Sequence, residues 1–399
     1  MPPSGRSRTV YVYAWDLVDE GVAEVAARLR DVGADTVALA TAYHAGKFIR
    51  PHARTGKVLF PEDGTIYFRH RAERYGTIKP LRAALIEDVD VLAELGREAP
   101  DLGRVGWTVC CHNTRLGLLH PTMVARTCFG DPLFYSLNPA HPEVRAYVVA
   151  LCRDLAELYE LDALVLETAG WLPWEHGCHH EFQLLPLNEW LAVLLGLDFS
   201  DATLAAARKA GVDAAPLKAR AAAAVADWLA RDVELEPDRA RDWLLAELVA
   251  VPDWSAFLAW RCRCVAELVA EVRDAVPRRT EIRVIPSVQR PSARGWTEGS
   301  DLAQLAAACD RLELCGYEAT VARLAADLVL VRQHIGTAAR LNVILRPAHP
   351  DLGGGRETAA AVPVLRAAGV AGLGFYNYGH WRLPALEHVR AAFAAWMAP

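Results

Sequence analysis

One segment, LDALVLETAGWLPWEHGCHH (residues 161–180), contains most of the residue types that enzyme active sites use. An apolar run ends at Glu167, and two tryptophans, a second glutamate, a cysteine and three histidines follow it. A carboxyl group at the end of a buried strand lies in a region of low dielectric, which raises its pKa and suits it to proton transfer. The segment therefore predicts either the mouth of an active site, with Glu167 as the leading candidate, or a structural ion pair of Glu167 with Arg115 or Arg346.

The elements that must position Glu167 form a regular alternation of strands and helices. Near-continuous apolar runs are typical of parallel strands covered on both faces, and amphipathic segments separate them. An open doubly wound sheet is disfavoured because no glycine fingerprint follows the first strand. We therefore predict a single domain over residues 1–399 with a (β/α)₈ TIM barrel. The eight predicted strands are 8–16, 35–43, 104–113, 162–169, 281–289, 310–318, 340–348 and 371–379.

Two long segments interrupt this alternation. Residues 44–83, after the second strand, are rich in arginine, histidine, tyrosine and glycine, and we expect a long loop there. Residues 182–255, after the fourth strand, contain alanine-rich helical patterns and no strand pattern. A structureless connection of that length is improbable in a domain, so we predict a helical insertion that caps one side of the barrel mouth.

In a TIM barrel the active site lies at the carboxyl ends of the strands. A glycosidase needs two carboxyl groups there, and Glu167 with Glu318 is the first candidate pair, with Asp16 as the alternative to Glu318. Polar and aromatic groups recur at the other strand ends, as sugar recognition requires. The predicted substrate-binding residues are Trp15, His44, Lys47, His112, Asn113, Trp171, Arg346, Tyr376, Asn377 and His380.

Other ionisable residues receive structural interpretations. Glu175 and Glu298 lie in loops and are expected to be exposed, whereas Glu313 lies inside a strand and is expected to form an ion pair, either in the core or with a helix. The cluster EHGCHH (175–180) has zinc-ligand residue types, but consecutive residues rarely all face one ion. We therefore predict a pocket wall there, with no metal and no other cofactor. The nine cysteines show no disulfide or metal spacing and are expected to be free thiols.

The composition of the chain argues against nucleic acids and membranes as binding partners. The net charge is −6, and no basic patch indicates nucleic acid as a ligand. No uninterrupted apolar run of roughly 18 residues indicates a membrane span, and no leader pattern precedes the first strand. The expected partner is a small carbohydrate substrate of a cytoplasmic protein, and the sequence is compatible with a homo-oligomer.

Three stretches carry a resemblance to a known group of proteins. They are YHAGKF after the second strand, SLNPAHPEVRAYVVALCRDLAELYELDALVLE leading into the fourth, and LPWEHGCHHEF beyond it. Together they resemble TIM-barrel glycosyl hydrolases that are distantly similar to α-L-fucosidases and other retaining glycosidases. In fucosidase-like barrels the acidic residue at the end of the fourth strand is typically an aspartate nucleophile, and Glu167 occupies that position here. The resemblance implies a glycoside hydrolase but does not specify the sugar.

Three functions remain open at this stage. The first is a glycoside hydrolase acting on a small glycoside or oligosaccharide through Glu167 and a second carboxylate. The second is a metal-dependent sugar isomerase or hydrolase, with ligands drawn from His44, His112, His176 or His349 together with Asp16 and Glu167. The third is a carbohydrate-binding barrel without catalytic activity.

Overall fold

Eight parallel strands close into a barrel in this computed structural model, which describes residues 6–177 and 184–399. Each strand pairs with its neighbours along the chain, and the eighth pairs with the first through Val10 and Phe375. The predicted (β/α)₈ barrel is confirmed. The barrel strands are β1 (Ser7–Val12), β2 (Thr36–Tyr43), β3 (Gly103–Val109), β4 (Ala163–Glu167), β5 (Glu281–Val284), β6 (Arg311–Cys315), β7 (Leu341–Leu345) and β8 (Gly372–Phe375).

Helices surround the barrel and fill the long connection between β4 and β5. The exact limits of the predicted 182–255 insertion stay a prediction. Within residues 6–177 and 184–399 no single helix is long and apolar enough to cross a membrane. The helices Glu189–Gly196 and Asp201–Lys209 together have the length and composition, but the pair is bent by 83°. The helices are α1 (Ala14–Glu20), α2 (Val22–Asp31), α3 (Val91–Glu98), α4 (Thr114–Leu119), α5 (Pro142–Leu158), α6 (Glu189–Gly196), α7 (Asp201–Lys209), α8 (Ala215–Leu229), α9 (Pro237–Ala250), α10 (Pro252–Ala275), α11 (Leu302–Ala308), α12 (Val321–Ile335), α13 (Thr358–Ala367) and α14 (Ala385–Met397).

The first strand is shorter than its sequence pattern predicts. It ends at Val12, and α1 begins two residues later, so Trp15 and Asp16 lie in the first helical turn and not at a strand end. The Asp16 carboxylate accepts a hydrogen bond from the Tyr13 backbone N–H at 3.3 Å, which satisfies a donor at the start of the helix. The prediction failed because this helical turn is buried on all sides, and a short apolar run has no helical periodicity to reveal it.

The segment between β2 and α3 contains short pieces of structure inside a long connection. Phe48–Ile49 pairs with Val58–Leu59 as a small hairpin, and Thr65–Ile66 extends the edge of β2. The Arg50 side chain returns from this hairpin to α1, where its Nη2 donates to the Trp15 carbonyl oxygen at 3.2 Å. The connection is therefore fastened to the end of the barrel that carries the carboxyl termini of the strands.

The opposite end of the barrel interior is filled by a buried polar network. Asn342 donates to the Glu313 carboxylate at 3.0 Å and accepts from Arg311 at 2.9 Å, and Arg283 lies 3.9 Å from Glu313. Glu313 is therefore the core ion-pair residue that the sequence predicts. Because these buried charges are paired, the desolvation cost of each is offset.

The loops that follow β4 and β5 are joined by backbone contacts. The Trp171 N–H donates to the Glu298 carbonyl oxygen at 3.0 Å, where Glu298 ends a 3₁₀ turn over Ser292–Glu298. A β-carbon added at Gly170 would lie 2.1 Å from the same carbonyl oxygen. Only glycine therefore allows the two loops to approach this closely.

We expect Gly170→Ala to separate these loops and to lower the free energy of unfolding by about 1–3 kcal/mol, the usual cost of overpacking. Urea unfolding followed by circular dichroism measures the change. Gly76→Ala is the matched control, since its added β-carbon would meet only the mobile end of Glu143 at 3.4 Å. Equal stability of the two variants would contradict the close approach of the loops.

Candidate active site

The strongest site feature is the carboxyl group of Glu167 at the end of β4. Its Oε2 accepts a hydrogen bond from the indole Nε1–H of Trp107 at 2.5 Å, and within the described part of the chain this is its one hydrogen bond. Burial raises the pKa of Glu167 to about 7, and the Trp107 hydrogen bond opposes that shift. Glu167 is partly buried and is the last residue of β4, at the carboxyl end of the barrel.

No ion pair neutralises Glu167 among residues 6–177 and 184–399. Arg115 pairs with Glu62 at 3.4 Å, and Arg346 lies 3.6 Å from Asp351. The alternative interpretation of Glu167 as a structural ion pair with either arginine is therefore wrong. A carboxyl group without a cationic partner keeps the raised pKa that burial gives it.

The backbone turns sharply just after Glu167. Thr168 has φ 51°, a left-handed conformation that is costly for a β-branched residue. Backbone pairing holds it there: the Cys110 N–H donates to the Glu167 carbonyl oxygen at 2.9 Å, and the Cys111 N–H donates to the Thr168 carbonyl oxygen at 3.0 Å. Strained residues of this kind often lie at functional sites, where the surrounding structure fixes a side chain in place.

Aromatic side chains surround the Trp107 ring. Its centroid lies 5.1 Å from that of Tyr43, 5.4 Å from that of Tyr13 and 5.7 Å from that of Tyr376. The Tyr13 hydroxyl is 3.0 Å from that of Tyr43 and 2.7 Å from that of Tyr376. Burial raises the pKa of all three phenols, so they are neutral hydrogen-bonding groups near pH 7. They form a rigid aromatic wall beside Glu167.

Asp16 has a different environment from Glu167. Its side chain is fully buried in α1, with Arg50 Nε 3.3 Å from its Oδ1. Burial raises the pKa of Asp16 to about 7, and Arg50 opposes the shift. A β-carbon added at Gly379 would lie 2.3 Å from its Oδ2, so the chain after β8 covers this carboxyl group.

Glu318 follows β6 and is also buried, at 4 % exposure. Its Oε2 accepts from Arg323 Nε at 2.7 Å, and its carbonyl oxygen accepts from the Leu352 N–H at 3.0 Å. Arg323 itself is largely exposed, with 66 % of its side-chain surface accessible. The carboxylate is therefore held by a surface arginine, near the loop that follows β7.

Four of the predicted substrate-binding residues have contacts typical of structural residues. The Trp15 ring stacks between Tyr13 and Phe48, and the Trp171 indole donates to Asp198 Oδ2 at 3.0 Å beneath the Arg261 guanidinium. The Asn113 and Asn377 side chains accept from the backbone N–H groups of Leu116 and Gly379 and so fix the turns that start α4 and follow β8. All four side chains are buried.

The predicted histidines lie nearer the mouth. The His44 and His112 rings stack with centroids 4.0 Å apart, and His176 lies 5.1 Å from His112. His380 packs against Tyr13 and Phe48, and burial lowers its pKa. Lys47 is exposed nearby.

The cluster 175–180 is described only in part, because residues 178–180 lie outside the described residues. Glu175 is exposed, as expected, and pairs with Arg294 at 3.0 Å. Within the described ranges no group of three or more histidine, cysteine, aspartate or glutamate side chains is arranged to hold a metal ion. The eight described cysteines are free thiols, as predicted.

Sequence reasoning missed three residues of this region. Glu298 was expected to be exposed but is 4 % exposed, because the contact between the β4 and β5 loops covers it. Trp107 and Tyr13 were not among the candidate residues, although each is a large aromatic at a strand or just after one. Their residue type and their positions at strands are visible in the sequence. The contact of Trp107 with Glu167, and of Tyr13 with the Trp107 ring, depends on the register between strands.

Glu298 is also the basis of a pH-dependent stability. Its carboxyl accepts from the Ser287 hydroxyl at 2.5 Å, and burial raises its pKa to about 7. A carboxyl group with a raised folded-state pKa binds its proton more tightly in the folded protein. The resulting stability is therefore lost as the pH rises from the ordinary range of a glutamate through 7.

We expect Glu298→Gln to remove this pH-dependent loss of stability. The free energy of unfolding of the variant should therefore increase relative to that of the wild type as the pH is raised from about 5 to about 8. The relative gain should be on the order of 2 kcal/mol, measured by calorimetry at both pH values. Glu175→Gln, on an exposed side chain, is the control. A difference that does not change with pH would show that Glu298 is ionised normally.

The barrel fold is shared with solved structures of low sequence identity. The glycoside hydrolase domain of PgaB (BpsB) from Bordetella bronchiseptica aligns with TM-score 0.60 and 16 % identity over 97 % of this chain and 98 % of that one. The catalytic domain of β-amylase from Paenibacillus polymyxa gives 0.59 and 10 % over 99 % of both chains. A β-galactosidase from Halorubrum lacusprofundi gives 0.56 and 11 %, covering 98 % of this chain and 57 % of that one. No family model and no curated protein matches the sequence. At these identities the likeness shows the fold, a barrel that glycoside hydrolases use.

Proposed function

We propose that this protein is a glycoside hydrolase in which Glu167 donates a proton to the leaving oxygen of a glycosidic bond. One observation carries the proposal: a partly buried carboxyl group, whose pKa burial raises to about 7 and which has no cationic partner among the described residues, ends a barrel strand beside an aromatic wall. A general acid works best when its pKa lies near the working pH. The solved structures that share this barrel, which are glycoside hydrolases by name, support the same class.

The aromatic wall supports a sugar as the substrate. Tyr376 and His380 follow β8, Tyr43 ends β2, and His44 follows it. Their rings offer apolar surface to the C–H faces of a sugar, and their polar atoms offer hydrogen bonds to its hydroxyl groups. The long connections after β2 and β4 would wall this end of the barrel, which favours a small glycoside or oligosaccharide.

Hydrolysis requires a second group that attacks the anomeric carbon or activates a water molecule. We rank Glu318 ahead of Asp16 for this role. Glu318 directly follows Tyr317, whose pKa is raised by burial and by the charge of Glu167, whereas Asp16 is enclosed between Arg50 and the chain at Gly379. The ion pair of Glu318 with Arg323 involves an exposed partner that is free to move away.

Glu167→Gln should lower turnover by about 10²–10⁴-fold on glycosides with poor leaving groups, because the amide donates no proton to the departing oxygen. A panel of aryl glycosides with leaving groups of graded acidity measures this. The loss should shrink as the leaving group becomes more acidic, since such groups depart without protonation. Glu175→Gln is the control and should keep wild-type rates. A loss that is independent of the leaving group would contradict the proton-donor role.

The wild-type rate should fall as the pH rises through about 7, because Glu167 acts in its protonated form. The Trp107 hydrogen bond lowers the pKa of Glu167, so Trp107→Phe should move this limb to higher pH. Pre-steady-state rates across the pH range test both expectations. A basic limb that does not move in Trp107→Phe would exclude Glu167 as the titrating group.

A further inference from the structure

A second charged cluster lies at the mouth beside Glu167. The Arg346 guanidinium, just beyond β7, lies 3.9 Å from the centroid of the Tyr317 ring and 5.7 Å from that of Tyr376. The Arg290 guanidinium, in the loop after β5, lies 5.2 Å from the same Tyr317 ring. Two cations on one ring repel each other, so the arrangement needs a negative charge to balance it.

The protein supplies part of that balance, because Asp351 lies within electrostatic reach of both arginines and Glu298 within reach of Arg290. Asp351 Oδ2 is 3.6 Å from Arg346 Nη1, which is too long for a hydrogen bond. Arg290 forms no ion pair among residues 6–177 and 184–399, and its Nη1 donates to backbone carbonyl oxygens of Ser287 and Gln289. Its Nε and Nη2 are shielded from solvent and donate to no described residue. Guanidinium N–H groups without an acceptor are costly, and the Arg346 side chain, 36 % of whose surface is accessible, is the member of the pair that a ligand can reach.

Ring contacts link the arginine pair to Glu167: the Tyr376 ring, 5.7 Å from the Arg346 guanidinium, lies 5.7 Å from the Trp107 ring, whose indole donates to the Glu167 carboxyl. Burial raises the pKa of the Cys315 thiol, the charges of Arg290 and Arg346 lower it, and the charge of Glu167 raises it further. Glu167 and Arg346 likewise act in opposite directions on the Tyr317 phenol. A group bound at the arginine pair therefore lies within electrostatic reach of the proposed proton donor.

We propose that Arg290 and Arg346 bind an anionic substituent, a carboxylate or a sulfate ester, on the sugar whose bond is cleaved at Glu167, so that the substrate is an acidic glycoside. This inference rests on the proposed glycoside hydrolase function. A planar guanidinium matches the two oxygens of such a group, and the Tyr317 ring beneath the pair holds the two guanidinium groups close together. Neutral and amino sugars leave the pair unbalanced.

Binding, which needs no turnover, separates this inference from the proposed reaction. Calorimetric titration of Glu167→Gln with methyl glycosides compares a hexuronate, a 6-sulfated hexose, the neutral hexose and the amino sugar. We expect the acidic ligands to bind about tenfold or more tightly than the neutral one, the usual worth of a charged hydrogen bond. Preference for the uronate or for the sulfate ester identifies the substituent.

The arginine variants supply the second half of the test. Arg290→Gln and Arg346→Gln should each weaken binding of the acidic ligands by about tenfold or more relative to binding of the neutral hexose, and so remove the preference. Arg340→Gln is the matched control, because Arg340 precedes the same strand, β7, at the opposite end of the barrel and pairs with Glu281. Added salt should weaken binding of the acidic ligands alone.

The possible outcomes distinguish a failure of the anion-site inference from a failure of the proposed hydrolase function. Equal binding of neutral and acidic sugars, tighter binding of the amino sugar, or an unchanged preference in both arginine variants would overturn the inference while leaving a Glu167-dependent hydrolase intact. Arginine-dependent binding of acidic sugars that no assay shows to be cleaved would support the anion site and count against the hydrolase.

Discussion

The hydrogen bond from the Trp107 indole to the Glu167 carboxyl is the contact on which the candidate site depends. Strands β3 and β4 pair so that Trp107 lies beside Val165 and Glu167 beside Val109. Two residues of stagger let the long indole reach the end of the neighbouring strand, where its N–H meets the carboxyl oxygen. A one-residue slip would turn the Trp107 side chain away from the barrel interior. The register of the sheet therefore orients the Glu167 carboxyl and supplies the hydrogen bond that limits the rise of its pKa on burial.

The surroundings of this contact favour a neutral carboxyl over a charged one. Burial raises the pKa of Glu167, Asp16 and Glu298 to about 7 in each case. Asp16 pairs with Arg50 and Glu298 accepts from the Ser287 hydroxyl, whereas among the described residues Glu167 accepts one hydrogen bond, at the end of a barrel strand. Similar burial therefore leaves two carboxyl groups held by buried partners, and the third is the proposed proton donor.

The barrel was predictable because a parallel strand covered on both faces is recognisable from its own near-continuous apolar run, without knowledge of its neighbours. Each of the eight apolar segments contains a largely buried strand, from Ser7–Val12 to Gly372–Phe375. The sequence predicted Glu167 for the same reason, as a polar residue at the end of such a run. It placed Trp15 and Asp16 wrongly because a fully buried helical turn has no periodicity. It could not find Trp107 or the burial of Glu298, since both depend on which strands and loops are neighbours in space.

The central claim is that Glu167 retains its proton near neutral pH, and infrared spectroscopy measures that proton directly. The carboxylic acid C=O band of Glu167, isolated as the difference between the wild type and Glu167→Gln, is followed from about pH 4 to about pH 9. We predict that the band disappears with a midpoint near 7. A midpoint at the ordinary value of a glutamate, about 4.3, would contradict the account, because Glu167 would then hold no proton to donate at neutral pH.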